Sequence, residues 1–232
     1  MRIAVGSLNG GVGSTTLSVN LAYALQRAGH RVAVVDAGPG QSVLRWMSRR
    51  DIAGLGRMEC GLALPAHESS EREAAYMVID VGAGQQSVMR ALPIVDIWLA
   101  PTPPSFPEYT STLQLYRMWC AARGTSSKAG LFVAALVRVG QNESDLDRAA
   151  RRHMSSADDG FHLLNQSLSR HPAWDETYGG HALHELPKHV AGRALFDFSM
   201  LLVELLALGL VGISKGHLPP FNRSRYSVVD AQ

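Results

Sequence analysis

Cysteine is nearly absent. Cys60 and Cys120 stand alone in 232 residues, with no CxxC and no spacing that would ligate a metal. A disulfide framework and a zinc cluster are therefore excluded as organising principles, and a reducing cytoplasm is the expected compartment. Charge is scarce as well: charged side chains make up 18% of the chain and the formal net charge is +2, so no global field draws nucleic acid to it. No internal repeat and no linker divides the chain, and the opening Met-Arg-Ile-Ala-Val-Gly runs straight into a strand-like segment, which leaves no room for a signal peptide. One apolar stretch, residues 194–213, approaches the length of a membrane span but contains Asp197 and Glu204. A charge near a bilayer centre costs about 2.5–3.5 kcal/mol, so the stretch reads as a packed terminal helix and membrane contact is not expected. The nine histidines show no HxxxH or HxH pairing with acidic partners, and the group His181, His184 and His189 does not suggest a metal site. Ser14 lacks the His/Asp context of a nucleophile.

What the chain has in quantity is hydrophobic side chains, 46% of residues, in a length that suits one α/β domain with a substantial core. Apolar runs at residues 2–6, 31–36, 75–80, 95–100 and 131–139 have the unbroken character of strands buried on both faces. Helical patterns lie between them at 15–28, 42–50, 85–92, 110–123 and 145–153, the fourth with Leu113, Leu115, Met118 and Trp119 as its expected buried face. Residues 51–73 read as a loop with short elements, 161–164 as a last short strand and 190–210 as the terminal helix. Strands alternating with helices predict an α/β fold: a doubly wound, mostly parallel sheet with helices on both faces. The expected domain covers 1–213, followed by a tail over 214–232.

The chemistry centres on Gly10-Gly11-Val12-Gly13-Ser14-Thr15-Thr16, which follows the first strand and opens the first helix. Glycines let the backbone come close to a ligand, and the N–H groups of a helix start face an anion, so this turn is a candidate phosphate cradle. Two later runs end in a carboxylate, Asp36 and Asp80. In a P-loop fold a carboxylate ending the neighbouring strand helps to hold Mg²⁺, and a loop hydroxyl binds it directly. Thr15, Asp36 and Asp80 are the candidate metal residues.

The turn resembles the deviant Walker A motif of the ParA/MinD family, K-G-G-x-G-K-[ST]-[ST], read here as Asn9-Gly10-Gly11-Val12-Gly13-Ser14-Thr15-Thr16. Val95-Asp96-Ile97-Trp98-Leu99-Ala100-Pro101-Thr102-Pro103-Pro104-Ser105 is similar to the family's strand and loop bordering the adenine, which makes Pro101 a candidate contact. Ser42-Val43-Leu44-Arg45-Trp46 is similar to small plasmid ParA proteins of the ParF type. Arg170 and the segment to Phe196 resemble the final strand, loop and helix of partition proteins. The likeness spreads over about residues 1–212 and implies a P-loop NTPase-like fold, with ATP or ADP and Mg²⁺ as cofactors. It places nucleotide on residues 9–16 and Pro101; Arg138 is a further candidate contact for nucleotide, or a member of a basic face.

Where the chain departs from the family, it departs at the chemistry. The lysine that holds the β- and γ-phosphates is Ser14, and the lysine that reaches across a dimer is Asn9. In the pattern D-x-D-P-Q-x-S this chain reads Asp36-Ala37-Gly38-Pro39-Gly40-Gln41-Ser42, so the second Asp, which positions the attacking water in the family, is Gly38. Each lysine contact is worth about 1.5–3 kcal/mol, and losing one weakens binding by about 10- to 100-fold. Weak nucleotide binding without hydrolysis is one expectation; a glycine loop kept as scaffold is another. The leading reading is a degenerate ParA-like partition or cargo-positioning protein. It would form a homodimer, engage an adaptor or a centromere-binding type of protein, and offer Arg148, Arg151 and Arg152 to nonspecific DNA. Those arginines share one helical face, diluted by Asp145 and Asp147, and a solvated surface helix is the plainer account of them. Two other readings stand beside it: a BcsQ-like accessory protein of bacterial cellulose export, a branch that tolerates the same losses, and an active ATPase with replacement cations such as Arg45.

Overall fold

The five apolar runs all form strands, and every strand pair in the computed structural model is parallel. The structure describes residues 1–56, 58, 60–61, 75–123, 130–140, 144–156 and 161–214. The expected loop over 51–73 lies partly outside these residues, and the expected tail almost wholly so.

In chain order the strands are β1 (Arg2–Ser7), β2 (Val32–Asp36), β3 (Cys60–Gly61), β4 (Tyr76–Ala83), β5 (Ile97–Thr102), β6 (Leu131–Val139), β7 (His162–Leu163) and β8 (Leu168–Ser169). The helices are α1 (Ser14–Arg27), α2 (Ser42–Ile52), α3 (Gln85–Ala91), α4 (Phe106–Arg123), α5 (Asp145–Ser156), α6 (Ala173–Glu176) and α7 (Lys188–Ser214). The sheet order is β3-β2-β4-β1-β5-β6-β7, with β8 also paired to β6. After β1 the chain runs outward on one side of the sheet and later returns to build the other side. The loop leaving β1 thus sits at the switch point, where open parallel sheets bind ligands beyond the carboxyl ends of their strands.

Both faces of the sheet are covered, as unbroken apolar strands require. Ile3, Val5, Val78, Ile97 and Leu99 pack with Leu17, Leu21 and Leu25 of α1 and with Phe198, Leu201 and Leu205 of α7. The alternate residues Ala4, Ile79, Trp98 and Ala100 point the other way, onto Val88 of α3 and Leu115 and Trp119 of α4. This period of two within each strand sorts a continuous apolar run into two cores.

Four expectations are corrected in detail. Helix α4 begins at Phe106 rather than 110, because Pro107 lies in its first turn, where the missing N–H has no intrahelical partner to lose. Its buried face is Tyr109, Thr112, Leu115 and Trp119, with Leu113 and Met118 only partly buried. Strand β4 runs past Asp80 to Ala83 through a bulge: Val5 faces Asp80 and Gly6 faces Gly82, which leaves Val81 as the extra residue. Residues 162–163 are not the last strand, since Leu168–Ser169 adds another against β6.

The two charges in the terminal apolar stretch are both used internally. Asp197 accepts a 2.6 Å bond from Ser169 and pairs with Arg193 at 3.1 Å. Glu204 caps the backbone N–H groups of Asn165 (2.8 Å) and Gln166 (3.0 Å). Among the described residues no helix is long and apolar enough to cross a membrane.

Candidate functional site

The loop between β1 and α1 is shaped by Gly11 and Gly13, whose φ angles of 76° and 97° lie in the left-handed region. A Cβ at either would meet open space, so it is the dihedral and not crowding that calls for glycine. Gly13 caps α1 without any side-chain hydrogen bond to the helix start. The first-turn N–H groups of α1 are therefore left to whatever anion the loop receives.

The flanking side chains behave differently from the pattern they replace. Asn9 donates its amide to Glu108 at 3.1 Å, tying the start of the loop to the first turn of α4. Ser14 is buried, and its carbonyl accepts the Ser18 hydroxyl at 2.9 Å. Neither brings a cation.

Behind the loop, Thr15 Oγ1 donates to Asp80 Oδ2 at 2.7 Å. Ser18 Oγ and the Gly82 N–H approach Oδ1, each at 3.4 Å. Burial pushes the Asp80 carboxyl up to about 6, with neighbouring Asp36 adding to the rise and the Thr15, Gly82 and Ser18 bonds opposing it. Asp36 stands opposite Asp80 in the β2–β4 register. Its Oδ2 accepts the N–H groups of Val43 (2.9 Å) and Leu44 (3.1 Å) in the first turn of α2. Its Oδ1 is buried without a hydrogen-bond partner. Two carboxylates, one oxygen of which is unpartnered, and an adjacent hydroxyl form an all-oxygen donor set, which suits a hard divalent cation. Among the described residues no group of three or more His, Cys, Asp or Glu side chains could hold a metal. Two carboxylates are nonetheless what Mg²⁺ needs when phosphates and water complete its shell.

The loop after β2 leans on the end of β4. Ala37 N–H donates to the Asp80 carbonyl at 2.9 Å. A Cβ on Gly38 would lie 3.2 Å from Gly82 Cα, and one on Gly82 would lie 3.0 Å from Gly38 Cα. The place where the ParA/MinD resemblance puts a water-positioning aspartate is thus filled by backbone.

On the other side of the loop a cavity of about 500 Å³ opens. Its walls include Gly13 and Thr16 from the α1 start, Arg138 from β6, and Arg170, Trp174 and Tyr178 from the C-terminal segment. Arg138 has φ 60° and donates its guanidinium to the Gly11 carbonyl. Trp174 is anchored by its indole N–H on the Ser169 carbonyl at 3.2 Å. Of the residues singled out from sequence, the structure brings Val12, Gly13, Thr16 and Arg138 to this cavity. Asp36, Asp80 and Thr15 lie together behind the loop. Pro101 is not in the cavity wall; it is buried within β5, paired with Ala135 of β6. The walls missed from sequence are Arg170, His171, Trp174, Asp175 and Tyr178, although Arg170 opens the segment whose resemblance to partition proteins could have pointed there.

The α5 arginines are largely engaged. Arg148 pairs with Asp145 one turn away. Arg151 binds the carbonyls of Leu164 (3.0 Å) and Asn165 (2.9 Å) and the Ser167 hydroxyl. Asp147 caps the helix through the Ser144 and Gly140 N–H groups (2.8 and 3.1 Å). Burial raises its carboxyl, but the bonds from Ser144 and Gly140 prevail and hold it below the usual range. Arg45 is exposed in the first turn of α2 and donates to Ser42 at 3.2 Å.

A family model described as the CobQ/CobB/MinD/ParA nucleotide binding domain matches residues 3–188. Among solved structures, a Cyanothece McdA variant in complex with ATP aligns at 14% identity and TM-score 0.67, covering 89% of this chain and 96% of that one. The Pyrococcus furiosus cell division ATPase MinD aligns at 22% identity and TM-score 0.66, covering 89% and 98%. A plasmid partition protein from Borrelia burgdorferi aligns at 15% identity and TM-score 0.52, covering 77% and 95%. At these identities the likeness to solved structures is one of fold. No curated protein matches the chain in sequence.

Proposed function

The chain belongs to the CobQ/CobB/MinD/ParA nucleotide-binding family, and from that premise we propose that it is a ParA-type positioning protein working as a nucleotide-held scaffold. It holds an adenine nucleotide weakly, turns it over far more slowly than a lysine-bearing member, dimerises, and engages a partner protein of the adaptor or centromere-binding kind. One observation carries this reading. The groups that would grip phosphate and Mg²⁺ are present, whereas the positions that would complete hydrolysis are occupied by other contacts. The bare α1 start, Thr15, Asp80 and the free oxygen of Asp36 make up the first set. The Asn9–Glu108 bond and the Gly38–Gly82 backbone contact make up the second.

Mg²⁺, held by Thr15 with Asp80 and Asp36 behind it, would supply charge neutralisation that the loop itself lacks. The cavity walls would take the nucleoside. The likeness to McdA, to a cell division ATPase and to a plasmid partition protein supports positioning as the class of work. Of the α5 arginines weighed for nonspecific DNA, Arg151 is held by the β7–β8 turn and Arg148 pairs with Asp145 at the surface, while Arg152 stands exposed.

The test is a calorimetric titration with ATP and ADP in the presence of Mg²⁺, with phosphate release followed in parallel. Binding without release is the expected result. Release at an ordinary ATPase rate refutes the assignment of Asn9, Ser14 and Gly38 as losses, and absence of binding at millimolar nucleotide refutes the cradle.

A further inference from the structure

We infer that this site favours nucleoside diphosphates over triphosphates, because its cations stand beside the cavity and its carboxylates stand where a third phosphate would go. The inference rests on the nucleotide reading above. In a P-loop the hydroxyl and the strand-end carboxylate flank the β- and γ-phosphates through Mg²⁺, so Thr15 and Asp80 mark that end. Around it the structure places Asp80 and Asp36, both buried, and Glu108 holding Asn9. The loop offers no compensating charge: Ser14 and Asn9 are neutral, and no lysine occurs in the chain before Lys128. Arg45, exposed in the first turn of α2, is turned onto Ser42.

At the cavity end the balance is reversed. Arg138 and Arg170 both line it, against the single carboxylate of Asp175. Arg138 already touches the loop through the Gly11 carbonyl. It holds that position from a left-handed backbone, φ 60°, that a non-glycine residue adopts at a cost. A guanidinium standing over an anion-binding loop is the cation best placed to meet the first phosphates of a nucleotide. A diphosphate therefore meets two arginines and the α1 N–H groups, while the additional charge of a triphosphate meets carboxylates.

Competition of ADP and ATP for the intact protein, by calorimetry in EDTA at low salt and about pH 8, tests this. The expected result is an ADP affinity about 3- to 10-fold higher than that for ATP, the size expected for one additional charge opposed by nearby carboxylates at a protein surface. The preference should shrink as salt rises, since its origin is Coulombic, and shrink again when Mg²⁺ is added. Arg138→Gly removes the guanidinium and keeps the left-handed backbone comfortable. It should lower ADP affinity about 10-fold, with Arg138→Lys restoring part of the loss and the thermal melt reporting an intact fold. Arg152→Ala, exposed on α5, is the charge-matched control and should change nothing. ATP binding as tightly as ADP or more tightly in EDTA overturns this inference and leaves the nucleotide reading standing. Binding of neither nucleotide, in EDTA or with Mg²⁺ added, overturns both. An Arg138→Gly variant with undiminished ADP affinity overturns the role given to Arg138.

Discussion

Asp80→Asn should stabilise the metal-free protein at alkaline pH and have little effect at acidic pH. Asp80 is 1% exposed, and burial, with Asp36 alongside, lifts its carboxyl from 3.8 to about 6. The folded state therefore holds the proton more tightly than the unfolded chain does. The stability this contributes is complete below the unfolded value and is lost as pH rises through about 6. Two units of displacement correspond to about 3 kcal/mol at pH 8, which for a chain of this size is a shift in Tm of about 6–12 °C. Asparagine carries no charge to desolvate and still accepts the Thr15 hydroxyl, so it escapes that cost. The assay is a pair of denaturant titrations, parent and variant in EDTA, at about pH 5 and pH 8. Other groups whose carboxyls lie low, such as Glu185 and Glu204, titrate alike in both proteins and cancel in the difference. Mg²⁺ at pH 8 should stabilise the parent and not the variant, because the cation relieves the same buried charge. A variant no more stable than the parent at pH 8, or a difference independent of pH, would refute the argument.

Three further substitutions probe the same reading. Ser14→Lys should raise nucleotide affinity by about 10- to 100-fold in calorimetry, one charge-assisted phosphate contact having been restored. Phosphate release should stay at background in that variant, because residue 38 remains glycine. Gly38→Asp should not restore release either. Its Cβ would sit 3.2 Å from Gly82 Cα, so backbone must shift, and a loss of about 1–3 kcal/mol in denaturant titrations is expected; a stable variant that hydrolyses ATP would show the loop to be freer than this. Arg50→Ala should cost about 3–5 kcal/mol, the penalty for stranding a buried partner. Arg50 is 3% exposed and grips Glu185 with both terminal nitrogens, at 2.6 and 2.8 Å. Burial raises the Glu185 carboxyl, but Arg50, the Ala182 N–H and Tyr23 together outweigh it and hold the group low, so the parent loses the Arg50 share of this contribution as pH falls. The gap between parent and variant should accordingly narrow in acid.

Much of the sheet is legible because each strand is a short apolar run closed by a glycine, a proline or a carboxylate. Residues 131–139 were bounded by Gly130 and Gly140 and form β6 without change. The phosphate cradle is local in sequence, since strand, glycines and helix start follow one another, and Asp36 and Asp80 are found by the runs they terminate. The cavity is not local. Arg170, Trp174 and Tyr178 come to Gly13 and Thr16 from more than 150 residues away, through a two-residue strand that carries no period of its own. The engagement of Arg151 is equally out of reach, because what holds it is a set of carbonyls in the following turn, and carbonyls have no sequence signature. The start of α4 is hidden for a different reason. Pro103, Pro104 and Pro107 together look like a loop until the last of them is placed in a first helical turn.

Helix α2 explains how the site keeps its shape with no lysine in the loop. Its N-terminus is held by Asp36 through the N–H groups of Val43 and Leu44. Further along the helix, the Trp46 indole donates to the Thr177 carbonyl at 2.8 Å, Arg49 to Tyr178 at 3.0 Å, and Arg50 to Gly180 at 3.1 Å. Thr177–Gly179 is the turn that carries Tyr178 into the cavity wall. One helix thus spans from the carboxylate behind the loop to the far wall of the cavity, and each of its anchors is a bond within the chain. Neither lysine place takes part in any of these contacts. Replacing the lysines therefore removes charge from the site without removing a support from the fold, which is the condition under which a P-loop protein can keep its architecture while its chemistry changes.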